Sequence, residues 1–201
     1  MSEAAARSLH SVVDDRLALG LDDAARAARA FLEALGVDCA TPSTEQSPMR
    51  MAKAYAEMLT ARPFELTTFP NDEGYDEMVV VSQIPVMSVC EHHLLPFTGV
   101  AHVGYLPGDR ILGLSKFARV VEMFARRPQV QERLTKQVAD WLTEQLAPRG
   151  VGVVIEAEHS CMSLRGARVG GAVTRTTALS GLMRDNHATR AEFLAAVERQ
   201  H

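Results

Sequence analysis

The chain has 201 residues, of which 47% are hydrophobic and 23% charged, and its formal net charge is −4. This balance is typical of a soluble globular protein, and the acidic excess argues against a broad basic face for nucleic acid. An anionic substrate is still possible where Lys and Arg are concentrated locally.

The amino terminus and the cysteines indicate the cellular compartment of the protein. The first residues lack the basic and apolar regions of a signal peptide, and no apolar run approaches the roughly 20 residues that a membrane helix needs. Three cysteines are too few for a disulfide framework, and two of them lie beside histidines. We therefore expect a cytoplasmic protein with a metal site and no membrane partner.

The first third of the chain is predicted to be helical. Residues 1 to about 20 fit either a helical stripe or a frayed arm, whereas residues 21–35 repeat apolar side chains near the helical period. Ser47 and Pro48 are typical of an N-cap followed by the first residue of a helix. We expect an N-terminal helical segment over residues 1–75.

Residues 76–201 are expected to form the catalytic domain, and two strands open it. Apolar and β-branched residues alternate over 78–86, where Pro85 predicts a bend, and a second strand is predicted over 97–106. Because the two strands flank a short turn, they are expected to pair antiparallel.

The rest of the domain is predicted as two helices, two strands and a helix. Ser115 is a candidate N-cap for a helix over 116–126, and a second helix is expected over 130–146. Strands are expected over 151–158 and 173–179, followed by a C-terminal helix that a capping box opens at Thr189. Helices and strands segregated in this order predict an α+β fold rather than alternating βαβ units.

The turn between the first two strands carries Cys90, His92 and His93. The C-x-x-H spacing brings Cys90 and His93 to one point, and a strand leading into His159 and Cys161 would project both side chains from one face. Cys90, His93 and Cys161 are candidate zinc ligands, because three protein ligands are typical of a catalytic site with a position left for water.

This assignment leaves two histidines for acid/base work, His92 and His159. One alternative is a structural zinc site that uses either of them as a fourth ligand. Another is a set of buried thiols and core histidines with no metal.

Two further groups of side chains are candidates for substrate binding. Ser115, Lys116 and Arg119 lie at a predicted helix start, which favours anions, and together with Arg165 they could bind a phosphate. Glu132, next to Gln131, offers a carboxylate that can accept two parallel hydrogen bonds from guanine. The alternatives are solvated surface charge and an acidic residue that suits the helix dipole.

Four motifs taken together resemble the GTP cyclohydrolase I family. They are Cys90-Glu91-His92-His93, Gly113-Leu114-Ser115-Lys116, the run from Arg127 to Thr135, and His159-x-Cys161-x-x-x-Arg165-Gly166. The resemblance extends from about Leu32 to Phe193.

The resemblance implies a tunnelling fold, an antiparallel sheet with helices packed on one face. It implies that the subunits form a homodecamer of two pentamers, with active sites at subunit interfaces. It implies conversion of GTP and water to 7,8-dihydroneopterin triphosphate and formate with Zn2+. Carried over by motif, the zinc ligands are Cys90, His93 and Cys161, and the acid/base pair is His92 and His159. Ser115 is a further catalytic candidate, because the ribose rearrangement needs proton transfers from His92 and the Ser115 region.

The resemblance also assigns the substrate contacts. It implies that Glu132, with the Gln131 region, anchors guanine, and that the triphosphate and ribose end is held by Ser115, Lys116, Arg119 and Arg165. The family's T-P-x-R signature is Ser47-Pro48-Met49-Arg50 here, and Arg50 could still reach a phosphate. The loop 167–172 departs from the family pattern.

Two alternative functions are compatible with the same motifs. A diverged member would keep the metal and the purine pocket but stop at a ring-opened intermediate. A non-catalytic, purine-binding oligomer would have a zinc ion closed by four protein ligands.

Overall fold

The protein is described by a computed structural model that covers residues 20–198. The sequence prediction for residues 1 to about 20 therefore concerns a stretch that, apart from Gly20, lies outside the described residues. The chain divides into two compact units between Pro63 and Phe64, whereas the sequence suggested a boundary after residue 75. The difference arises because Thr68–Pro70 forms a strand that pairs with Arg110–Leu112 of the second unit.

The first unit contains two helices that pack against each other, α1 (Leu21–Ala34) and α2 (Ser47–Leu59). Small side chains, Ala28 on α1 and Ala52 on α2, are buried. Gln46, not Ser47, is the N-cap of α2, so the predicted start is one residue late.

The second unit is an α+β domain, as the sequence predicts. Its elements are β1 (Thr68–Pro70), β2 (Val79–Cys90), β3 (Pro96–Leu106), β4 (Arg110–Leu112), α3 (Leu114–Ala125), β5 (Pro128–Gln129), α4 (Gln131–Leu146), β6 (Gly150–His159), α5 (Ser160–Ser163), β7 (Val173–Gly181), α6 (Leu182–Asp185) and α7 (His187–Glu198). The three short strands β1, β4 and β5 were not predicted.

Five strands form the main sheet, in the order β5-β2-β3-β6-β7. All neighbours are antiparallel except β5, which pairs parallel to the end of β2. The register brings Cys90 of β2, Pro96 of β3 and His159 of β6 to one end of the sheet, which we call the metal end. Leu106 and Gly150 mark the opposite end, which we call the far end.

The predicted bend at Pro85 is wrong, because Pro85 pairs in register with Val100. The irregularity lies earlier, between Val81 and Ile84, where Gln83 has a φ of 57°. An extra residue in one strand of a pair produces such a bulge and re-aims the side chains that follow.

Helices α3 and α4 cover one face of the sheet. Their apolar stripes, which include Phe117, Val121, Leu134 and Leu142, are buried against strand residues such as Ile155. Each of these side chains contributes roughly 1.5–3 kcal/mol relative to an exposed one. The packing of α3 and α4 agrees with the sequence expectation of helices on one face, whereas α7 lies on the other face.

A smaller apolar cluster lies on the other face, under α7. Phe193 is fully buried there beside Val154. A Cβ atom at Gly152 would lie 2.6 Å from the Phe193 ring, so this close approach requires glycine.

Two predicted helix caps are wrong. Gly113 is the N-cap of α3, so Ser115 lies inside the helix. Helix α7 begins at His187, where the Asn186 side-chain oxygen accepts hydrogen bonds from the Ala188 and Thr189 amides at 2.9 and 3.1 Å. The start of α3 was predicted two residues too late and that of α7 three residues too late.

Among the described residues, none of the helices combines the length and hydrophobicity that crossing a membrane requires.

Candidate metal centre and active site

A tight turn at the metal end folds two histidines back over Cys90. The Cys90 amide donates to the Leu95 carbonyl at 2.9 Å, and the Leu94 amide donates to the Cys90 carbonyl at 2.8 Å. Leu94 takes a φ of 53° to close the turn. As a result, the Nδ1 atoms of His92 and His93 lie 3.8 and 3.9 Å from the Cys90 sulfur.

Cys161 reaches the same point from β6. His159 is the last residue of β6 and pairs with Phe97 next to the turn. Ligand atoms of Cys90, His93 and Cys161 all lie within 4.8 Å of one another. The sequence prediction that His159 and Cys161 share one strand face is wrong, because Cys161 lies in the helical turn α5, which redirects its side chain.

These three residues could hold a metal ion. Two sulfurs and an imidazole nitrogen are the donors that zinc prefers, and one such set converges here within 4.8 Å. Burial and the neighbouring Cys90 sulfur both raise the pKa of the Cys161 thiol. A cation between the sulfurs would relieve this repulsion, since metal binding favours thiolates.

Arg165 also lies beside this cluster. Its Nη1 atom is 3.2 Å from the Nε2 atom of His93. Among Ser115, Lys116, Arg119 and Arg165, the residue that lies next to a metal ligand is Arg165.

His159 is held in a defined orientation. Its ring is stacked on Phe97, with centroids 4.4 Å apart and planes inclined by 9°. Its Nε2 atom lies 2.8 Å from the Gln131 side-chain oxygen. Burial lowers the pKa of His159, and the negative charge of Glu132 partly opposes this shift, so a neutral imidazole is favoured.

Sequence reasoning missed an ion pair that ties the turn to α4. The Arg133 guanidinium donates to both Glu91 carboxylate oxygens, at 2.6 and 2.8 Å. This hydrogen bonding lowers the pKa of the Glu91 carboxyl. The two residues are 42 positions apart in sequence, so only the register of β2 against the start of α4 brings them together.

Three of the predicted phosphate ligands lie far from the metal cluster. Ser115, Lys116 and Arg119 are in the first half of α3. Phe117 of that helix packs against Tyr105 at 5.5 Å, and Tyr105 is eight residues along β3 from Phe97. At about 3.3 Å per residue, the two positions are roughly 26 Å apart along the strand.

The other end of α3 reaches the metal end. The Ser88 hydroxyl, two residues before Cys90, donates to the Ala125 carbonyl at 2.6 Å. Within one chain, Lys116 and the metal cluster therefore lie at opposite ends of the sheet.

Lys116 and Arg119 have local contacts at their own end. The Lys116 ammonium lies 6.0 Å from the centre of the Phe64 ring, and Arg119 pairs with Glu122 at 3.4 Å.

The two candidate guanine contacts differ in exposure. Glu132 is exposed in the first turn of α4, at the metal end, whereas Gln131 is 1% exposed. The Gln131 amide nitrogen lies within 3.1 Å of three oxygens of β6 and β7. Arg50 is an exposed residue of α2 in the first unit.

Comparisons with known proteins identify the family of this chain. The family model described as GTP cyclohydrolase I matches residues 24–198. The chain belongs to the GTP cyclohydrolase I family.

Curated members of this family are similar over most of their length. A protein named GTP cyclohydrolase 1 from Mycolicibacterium paratuberculosis is 51% identical over 179 residues, 87% of this chain and 88% of the relative. One of the same name from Mycolicibacterium vanbaalenii is 52% identical over 87% of this chain and 89% of the relative.

A solved structure is also similar, at a lower level. The match is titled "Crystal structure of the archaeosine synthase QueF-Like in the apo form", with 19% identity and a TM-score of 0.44. It covers 52% of this chain and 93% of that chain.

Proposed function

We propose that the protein opens the imidazole ring of GTP by hydrolysis, releases formate and rearranges the product to 7,8-dihydroneopterin triphosphate. Membership of the GTP cyclohydrolase I family supports this activity. The observation that carries it is the convergence of three metal-ligand side chains within 4.8 Å at the end of the sheet that also holds His159.

Cys90, His93 and Cys161 are the residues that would hold the metal, and we propose that the ion is zinc. When bound by three protein ligands, zinc acts as a Lewis acid and lowers the pKa of a coordinated water towards neutrality. The sulfur-rich donor set supports zinc over magnesium or calcium, which prefer oxygen ligands.

His92 and His159 are the proposed acid/base residues. Opening the purine ring needs protons delivered to ring nitrogens, and the later ribose rearrangement needs protons moved between carbon and oxygen. An imidazole suits this work because its pKa lies near neutral pH. His159 is fixed by Phe97 and Gln131, whereas His92 is exposed in the turn, so the two are suited to different steps.

Glu132 is the proposed guanine anchor. It is exposed at the metal end, close enough to His159 for its charge to affect the pKa of that residue. A carboxylate there can accept two side-by-side hydrogen bonds from the N1–H and exocyclic amine of guanine.

We propose that the triphosphate is bound across a subunit interface. Phe117, on the same part of α3 as Ser115, Lys116 and Arg119, packs against Tyr105, which is roughly 26 Å along β3 from Phe97. This position supports supply of the three groups by a second copy. Arg165 would contribute from the metal end, and Arg50 is a further candidate. The assembly we propose is the decamer of two pentamers that the family resemblance implies.

The proposed location is the cytoplasm. The support is that Cys90 and Cys161 serve best as metal ligands in a reducing compartment, where free thiols persist.

A mass spectrum of the product after incubation with zinc and GTP, with formate assayed in the same tube, tests the proposal. We expect dihydroneopterin triphosphate and one formate for each GTP consumed. A ring-opened product without formate would identify a diverged enzyme. Unchanged GTP with protein-bound zinc would favour the non-catalytic binding protein.

A further inference from the structure

Gln131 is buried in a hydrogen-bond network whose direction can be read from the chemistry of its partners. The Gln131 side-chain nitrogen lies 3.0 Å from the Ile155 carbonyl oxygen and 2.9 Å from the Thr174 carbonyl oxygen. Backbone carbonyls only accept hydrogen bonds, so the NH2 group of the amide must face them. Its oxygen consequently faces His159.

This orientation fixes the tautomer of His159. The Gln131 oxygen is an acceptor, and it lies 2.8 Å from the His159 Nε2 atom. The Nε2 atom must therefore carry the hydrogen, and in the neutral ring Nδ1 is then the nitrogen without one.

Two threonines close the network. The Thr135 hydroxyl donates to the Gln131 main-chain carbonyl at 2.8 Å, so the Thr176 hydroxyl, 2.6 Å from it, must be the donor to Thr135. The Thr176 oxygen lies 3.1 Å from the Gln131 amide nitrogen, so the two amide hydrogens are shared among three acceptor oxygens, those of Ile155, Thr174 and Thr176. The hydrogen bonds thus run from the Gln131 side chain through Thr176 and Thr135 back to the Gln131 main chain.

We propose that Gln131, held by Thr135 and Thr176, is a positioning residue that accepts the Nε2 hydrogen of His159 and thereby fixes the orientation and the tautomer of its ring. The inference rests on the proposed function, in which His159 is an acid/base residue. It gives Gln131 a role different from guanine binding: the side chain is 1% exposed, and its amide hydrogens face oxygens of the protein itself.

Steady-state kinetics with GTP separates the two roles. In Gln131→Leu we expect kcat to fall about a hundredfold or more, the usual range for a misplaced acid/base group, with KM within about threefold of the wild-type value. Glu132→Gln is the comparison variant and should chiefly raise KM. A Gln131→Leu enzyme with raised KM and unchanged kcat, or with neither changed, would overturn the proposal.

The threonine at position 176 gives a milder variant that keeps the core filled. Thr176→Val replaces the hydroxyl by a methyl group of similar size and should lower kcat about fivefold, the worth of one net hydrogen bond, whereas Thr176→Ser should restore it. Thr177→Val, on the exposed neighbour in the same strand, is the matched control and should leave kcat unchanged. Equal kcat in the valine and serine variants at position 176 would contradict the role of the hydroxyl.

A spectroscopic measurement tests the tautomer without any turnover. In protein labelled with nitrogen-15 histidine, magic-angle-spinning NMR distinguishes protonated from unprotonated ring nitrogens, and the His159 signals are those missing in His159→Gln. We expect the Nε2–H form in the wild type and its loss or mixing in Gln131→Leu. An Nδ1–H form in the wild type would refute the proposal, even if the enzyme turns over GTP. Absence of turnover with the Nε2–H form present would instead count against the proposed function alone.

Discussion

The two ends of the five-stranded sheet hold different groups of candidate residues. The metal end gathers Cys90, His93 and Cys161, with His159 and Glu132 beside them. The far end, near Leu106, has the start of α3 with Lys116. The metal end is built from residues up to 71 positions apart in the sequence, whereas the far end presents one local motif. A metal cluster and a phosphate motif can thus be equally clear in sequence and still lie at opposite ends of the sheet within one chain.

The largest effect should come from removing a metal ligand. In Cys161→Ala we expect both metal retention and turnover to be lost, because Cys90 and His93 alone cannot hold the ion tightly. Metal content after gel filtration and formate release measure the two effects. Cys39→Ala is the control, since Cys39 is a buried cysteine of the first unit. Full activity in Cys161→Ala would remove this residue from the metal site.

The next effect concerns the histidines at the metal end. His159→Gln should lower kcat by about a hundredfold to ten-thousandfold, the contribution of a general acid or base, while the metal content stays at the wild-type level. His92→Gln should behave in the same way. Loss of metal in either variant would instead indicate a closed site with that histidine as a fourth ligand.

A smaller effect is expected at the far end. Lys116→Ala should raise KM for GTP roughly tenfold or more, because it removes a charge-assisted hydrogen bond to phosphate, and should leave the metal content unchanged. Lys136→Ala is the control, since Lys136 is an exposed residue paired with Asp140 on α4. An unchanged KM in Lys116→Ala would take this lysine out of the phosphate site.

The smallest effect should follow from weakening the ion pair that joins the turn after Cys90 to α4. Glu91→Gln weakens the ion pair with Arg133, and we expect metal affinity to fall by up to about tenfold, as for other groups that orient ligands, with kcat at saturating zinc unchanged. Competition with a chelator measures the affinity. Asp140→Asn breaks a surface ion pair on the same helix and should change nothing. A wild-type affinity in Glu91→Gln would mean that the turn is held by its backbone hydrogen bonds alone.

Local patterns were enough to predict most of the fold. Alternating apolar residues predicted β2, β3, β6 and β7, and apolar stripes predicted α3 and α4, because burial of one face decides these elements. The short strand β1 was missed, since its three residues have no periodicity and form a strand only by pairing with β4. The bulge at Gln83 was also missed, because the pattern there pointed to Pro85.

The candidate site was predictable in its residue types but not in its connections. The clustering of thiols and imidazoles in two short motifs predicted which side chains could share a metal. The hydrogen bond between Gln131 and His159 was not foreseeable, because it depends on the packing of α4 against β6 and β7. The separation of Lys116 from Cys90 was hidden for a similar reason, since it follows from the direction in which α3 crosses the sheet.

In the proposed assembly, one active site takes its metal end and its far end from different chains. Co-expression of a Cys161→Ala chain with a Lys116→Glu chain, followed by purification of mixed oligomers, tests it most directly. Each variant alone should have little activity at low GTP. In randomly mixed oligomers about a quarter of the sites should be active, because an intact metal end then meets an intact far end by chance. Activity no higher than the sum of the separate variants, in oligomers shown to contain both chains, would contradict the claim.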